Sequence, residues 1–175
     1  MSGTGFDAGD TFLEYWLSLP RRDAQSIPAY ADFDPAKITP ILPHVFVAHS
    51  HGPHDYRVSL RGTWLEEFVG RQNANENIFD FYQGADRENY ETFVHDVLHR
   101  PAVGVIDRSI NIKGMREYTF PSLFCPFLDA SNTPTIMVGV AVMEGSKTWE
   151  MDNARELMRH IKFRDFKLLS IANIS

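Results

Sequence analysis

The sequence predicts an α+β domain: an antiparallel sheet with helices packed on one face, flanked by helical extensions at its N- and C-terminal ends. Three observations carry this. Within residues 55–71 the hydrophobic period changes in mid-stretch: Tyr56, Val58 and Leu60 alternate with polar neighbours, and Trp64, Leu65, Phe68 and Val69 then recur at helical spacing. Residues 86–99 place Tyr90, Phe93, Val94, Val97 and Leu98 along one stripe of a longer helix. Three strand-like runs follow, 102–113, 116–127 and 135–143. Their shared faces are Ile106, Ile110 and Ile112; Tyr118, Phe120 and Phe124; and Ile136, Val138, Val140 and Val142, as in a sheet with one buried face.

Composition bounds the function. A chain of 175 residues that is 43% hydrophobic and 13% aromatic is long enough for one well-filled core and excludes disorder. A formal net charge of -6 without a basic stripe argues against nucleic-acid binding, which depends on Lys and Arg neutralising phosphates. The first ten residues lack a charged start and apolar core, and no apolar run reaches membrane-spanning length, so a cytoplasmic location is expected. Cys125 is the only cysteine and has no internal partner, in keeping with a reducing compartment.

In chain order, residues 1–9 are expected to be a flexible tail, and residues 10–43 an N-terminal helix and its lead-in. Asp10 and Thr11 can cap a helix whose Phe12, Leu13, Trp16, Leu17 and Leu19 cover one side, with Pro20 ending it. That much apolar surface must pack on the chain's own sheet or on a second copy, so Phe12, Leu13, Trp16 and Leu17 are candidate dimer contacts. Asp34-Pro35 opens a helical turn over 36–42 with Ile38, Ile41 and Leu42 inward. The core is assigned to residues 44–143. It begins with a strand at 45–48 and a hairpin turn at His51-Gly52-Pro53-His54. Gly62-Thr63 marks the change of period, with Gly tolerating a backbone that β-carbons disfavour and Thr63 capping the helix that Gly70-Arg71 closes. Ile78, Phe79, Phe81 and Tyr82 mark a short apolar helix or turn, Pro101 stops the longer helix, and Lys113-Gly114-Met115 makes a tight turn. The C-terminal extension, 144–175, holds a polar helix with Leu157, Met158 and Ile161, after which 163–171 is compatible with helix or strand.

The order strand, strand, helices, three strands is the one used by PAS sensor domains. Val45-Phe46-Val47, Tyr56 to Thr63 and Phe68-Val69-Gly70-Arg71 resemble the core of a family of short bacterial PAS-type proteins. The likeness extends upstream to Tyr15-Trp16, Asp32-x-Asp34-Pro35 and Leu42-Pro43-His44-Val45-Phe46, and covers residues 11–143. It departs at Ser59, where the family often carries a second basic residue. The resemblance implies a five-stranded antiparallel sheet with helices on one face and a sensory or regulatory role.

Candidate chemistry is sparse. His44, His49, His51 and His54 crowd one hairpin, but no Cys or acidic cluster completes a metal shell, and no metal site is assigned. His95 and His99 share a helix face and invite a haem reading; Cys125 invites a flavin, but the Asn-Cys-Arg helix motif of flavin-binding relatives is absent. Neither cofactor is assigned. No Gly-x-Ser-x-Gly occurs, and Gly145-Ser146-Lys147-Thr148 lacks the leading glycine of a phosphate loop and reads as a turn. What remains is a pocket between sheet and helices, lined by Phe46, Trp64, Phe68, Phe93, Phe120 and Phe124, with His44, Arg57, Arg61 and Tyr118 as its polar members. The expected function is a non-catalytic sensory or regulatory module, a homodimer that binds a small apolar or aromatic ligand and signals through a protein partner. The alternatives are a small enzyme or carrier using the same pocket, and a ligand-free adaptor.

Overall fold

The computed structural model describes residues 3–23, 26–69, 76–100, 102–111, 117–143 and 160–174. Helix α1 (Asp7–Ser18) is followed by 3-10 segments at Tyr30–Asp32 and Pro35–His44, then by strands β1 (Val45–Gly52) and β2 (Asp55–Arg61). Helices α2 (Thr63–Val69) and α3 (Gly84–His99) precede β3 (Ala102–Ile110), β4 (Tyr118–Thr119), β5 (Ser122–Leu128), β6 (Pro134–Ala141) and β7 (Ile161–Ser170), with a helical turn at Ile171–Ile174. The strands form one sheet in the order β2-β1-β6-β5-β3, every pairing antiparallel. Beyond β5, β4 continues along the same edge of β3, while β7 runs the length of its other edge.

The α+β class and the antiparallel sheet are as expected, with seven strands among the described residues in place of five. One extra strand arises because the run 116–127 breaks at Phe120-Pro121: proline has no N–H for a ladder, and Phe120 N donates instead to the Arg108 carbonyl (2.7 Å). The other is the C-terminal segment, where Ala102 to Ile110 pair with Ser170 to Ile161, so this part of the extension is strand and not helix. The Gly70-Arg71, Pro101, 113–115 and 145–148 readings, Ile112, and the helix bearing Leu157 and Met158 lie outside the described residues.

The sheet is covered on both faces, which is why β5 is buried at every position from Ser122 to Phe127 and not at alternate positions. α2 and α3 cover one face, burying Leu65, Phe68, Tyr90, Phe93, Val94 and Val97 against Ala48, Val58, Ile106, Phe124 and Met137. α1 and the second 3-10 segment cover the other, burying Phe12, Leu13, Trp16, Ile38 and Ile41 against Val47, Leu123, Cys125, Phe127 and Val138. The Trp16 indole N–H donates to the Pro126 carbonyl (3.1 Å), across 110 residues of chain. Phe12, Leu13 and Trp16, read from sequence as dimer contacts, are therefore buried by the chain's own sheet; Leu17 alone of the four is partly exposed.

Two further details differ from the sequence reading. α1 begins at Asp7 with Phe6 already buried, because Asp10 turns back to accept from Thr4 N (2.6 Å) and Thr4 Oγ1 (2.8 Å) and does not cap the helix. At Gly62 the need for glycine is steric proximity: a Cβ would fall on the Leu42 and Pro43 carbonyls, while Gly62 N donates to Val45 O (2.7 Å). Asp34 caps the 3-10 segment as read, accepting from Ala36 N (3.0 Å).

Candidate functional site

A cavity of about 80 Å³ lies between the sheet and its α2–α3 layer. Phe46, Val58 and Arg61 from β1 and β2, Leu65 from α2, Ile78, Phe81 and Tyr82 from the turn, and Tyr90 from α3 line it, with Arg108, Phe120, Phe124 and Ala141 closing the far side. Each arrives for a local reason. Strand β2 carries a bulge: Ala48 pairs with Val58 and Val47 with Leu60, so Ser59 is the extra residue. Before it, Tyr56 and Val58 face the helices at period two. After it the parity is reversed, which turns Arg61 into the cavity and leaves Leu60 half exposed, at 50%.

The turn that supplies Ile78, Phe81 and Tyr82 is fastened to β2. The Asn77 side chain accepts from Tyr56 N (3.3 Å) and Phe79 N (3.2 Å) and donates to the His54 carbonyl (2.9 Å). Ile78 N donates to Tyr56 O (2.9 Å) and Val58 N to Glu76 O (3.2 Å), so this segment extends the edge of the sheet. Aromatic edges make the wall: Phe46 against Phe124 at 5.5 Å, Tyr82 against Tyr90 at 5.2 Å and Tyr90 against Phe124 at 6.1 Å between ring centroids.

Arg108 is the unusual member. It is 5% exposed, its guanidinium carbon sits 4.3 Å from the Phe120 ring centroid, and Nη1 donates to the Tyr82 hydroxyl at 3.1 Å. Nη2 donates to the Ser122 hydroxyl, itself buried, and Nε is buried with no hydrogen-bond partner among the described residues. Both acceptors are neutral, so among the described residues the charge is taken out of water without an opposing charge, an arrangement that ordinarily costs several kcal/mol. Arg61 differs, being held by Glu76 at 3.4 Å. Burial pushes the Tyr90 hydroxyl far above its ordinary range, Tyr82 adding to this and Arg108 opposing it, so Tyr90 stays protonated.

Of the ten residues read from sequence as pocket-lining, Phe46, Arg61, Phe120 and Phe124 line the cavity. Trp64 and Phe68 stack on each other at 5.2 Å beside it, and Phe93 packs on Phe124 and Phe166. His44 lies over Trp64 at 4.9 Å, its imidazole lowered by burial and partly restored by the Ala141 backbone. Arg57 points away and is clamped twice by Asp55, at 2.8 and 3.0 Å; Tyr118 pairs with Ile110 at the start of the broken strand. Arg108 was missed, although Ile106 and Ile110 were read as facing inward and Arg108 has the same parity. A charged residue on an apolar stripe was the available signal.

The other candidates sit elsewhere. His95 and His99 stack at 4.1 Å on the exposed side of α3, and Cys125 faces α1, its thiol pushed well above its ordinary range by burial, with Arg21 opposing. His54 reaches Glu91 at 2.7 Å. Among the described residues no three His, Cys, Asp or Glu side chains are grouped to hold a metal ion, and no helix is long and apolar enough to cross a membrane.

The site is thus a small, mostly aromatic cavity between an antiparallel sheet and a helical layer. The family model described as PAS domain matches residues 6–142, and the chain belongs to that family. Its general role is therefore that of a sensory or regulatory module. No curated protein matches the chain.

Proposed function

We propose that this PAS domain is a non-catalytic sensor that takes a small ligand into the cavity beneath α2 and α3 and conveys its occupancy to a protein partner. The observation that supports this is the cavity itself: a mostly aromatic space whose polar members are Arg61, Tyr82, Tyr90 and Arg108, a few polar groups in an apolar wall as small-molecule sites have. Among the described lining residues there is no carboxylate, imidazole or thiol, the groups that most often serve as general base or nucleophile, which favours sensing over turnover.

Two routes lead outward. Tyr82 and Tyr90 both contact Phe163 of β7, at 4.7 and 5.5 Å, so the C-terminal strand feels the cavity wall. Phe124 shares β5 with Pro126, whose carbonyl holds Trp16, so a shift of β5 reaches α1 on the opposite face. A ligand acts by favouring one packing of these contacts over another. Pairing with a second copy would use a surface other than the buried side of α1.

Native against denaturing mass spectrometry of the purified protein, with an absorbance spectrum of the same sample, tests the reading. A bound mass, or a stability that rises with an added small molecule, is the expected result. A bare, colourless protein whose stability responds to no small molecule would favour the ligand-free adaptor.

A further inference from the structure

We propose that the cavity recognises a small monocarboxylate of about the size of acetate or propionate, with Arg108 as the residue that receives its charge. This rests on the reading of the cavity as a ligand site, and adds the chemical class. Size sets the first limit. A space of about 80 Å³ falls below the roughly 150 Å³ that holds benzene in an engineered core.

Charge sets the second limit. Arg108 is 5% exposed, carries a permanent positive charge, and spends two donors on the neutral hydroxyls of Tyr82 and Ser122. Its Nε–H is buried and, among the described residues, has no hydrogen-bond partner. A neutral ligand could at best satisfy that donor. An anion would satisfy it and oppose the charge as well, and a planar carboxylate can bridge two parallel N–H groups along one edge of the guanidinium. Arg61, already balanced by Glu76, lines the same space and adds no demand for a second negative charge, so a monoanion suffices. The remaining wall, Phe46, Val58, Phe124 and Ala141, suits a methyl or ethyl tail.

The test is a calorimetric or NMR titration of the full chain with sodium propionate and, separately, propionamide, at ionic strength fixed with sodium chloride. The two probes match in shape and differ in charge. Propionate is expected to bind at least about tenfold more tightly than propionamide, the size expected for charge-assisted hydrogen bonds. Arg108→Met should abolish the preference and Arg108→Lys should keep part of it. Equal binding of the two probes to the wild-type protein would overturn the carboxylate assignment and leave the cavity reading standing. Binding of neither, with 1-propanol also failing, would overturn both. The wild-type comparison decides the matter even where a variant fails to fold.

Discussion

Replacing Ala141 with isoleucine should fill the cavity, stabilise the protein and block the site together. Ala141 is buried on β6 opposite Ser122, with its side of the strand turned to the cavity, and a β-branched residue suits that backbone. Isoleucine adds three carbons. At about 24 cal/mol per Å³ of residual cavity, filling all 80 Å³ is worth about 2 kcal/mol. Burial of three carbons at about 0.8 kcal/mol each gives a similar upper figure. With a urea m-value near 2 kcal/mol/M, the midpoint of unfolding should rise by about 1 M. Equilibrium denaturation followed by Trp fluorescence, alongside the propionate titration, measures both effects. A variant destabilised by about 1–3 kcal/mol, the ordinary penalty of overpacking, and still responsive to propionate would refute the reasoning, because the added carbons would have met occupied space.

Other consequences are equally direct. Trp16→Ala should cost about 3–5 kcal/mol in a concentration-independent transition, since Trp16 is fully buried within the chain; a loss confined to a monomer–dimer equilibrium would restore the helix to a dimer interface. Burial alone would raise the Glu91 carboxyl, but hydrogen bonds from Arg87 and His54 outweigh it and hold the group below its ordinary value of 4.5. Its contribution is therefore present above about pH 4.5 and lost as pH falls through the lower folded value, so Glu91→Gln should flatten the acid limb of a stability profile in that window. Cys125, buried with its thiol pushed up, should resist a thiol reagent in the native protein and react only as fast as the domain opens.

Much of this molecule was legible in the chain. The change of period at residues 62–63, the stripe of α3 and the cap at Asp34 are local patterns, and hydrophobic spacing within ten or fifteen residues determines them. The α+β class and the aromatic character of the core follow from the same patterns, as does the resemblance to PAS domains. Phe46 and Phe124 reached the cavity from β1 and β5, and Phe120 kept the inward parity of Phe124 although the strand breaks beside it.

What the chain could not settle were matters of register and neighbourhood. The bulge at Ser59 depends on how β2 pairs with β1, yet it decides that Arg61 faces inward and Leu60 outward. The segment 161–170 is strand because β3 offers it a free edge, a condition set by residues some sixty positions earlier in the chain. α1 could have covered another copy; it covers its own sheet because β5 and β6 present a second apolar face that would otherwise meet water. Arg108 stands between the two kinds of knowledge. Its inward parity was written in the sequence, but only the assembled wall of Phe120, Tyr82 and Ser122 shows that its charge is buried with no opposing charge among the described residues. Spacing along the chain carries the first kind of information, and the second exists only once distant segments exclude water together.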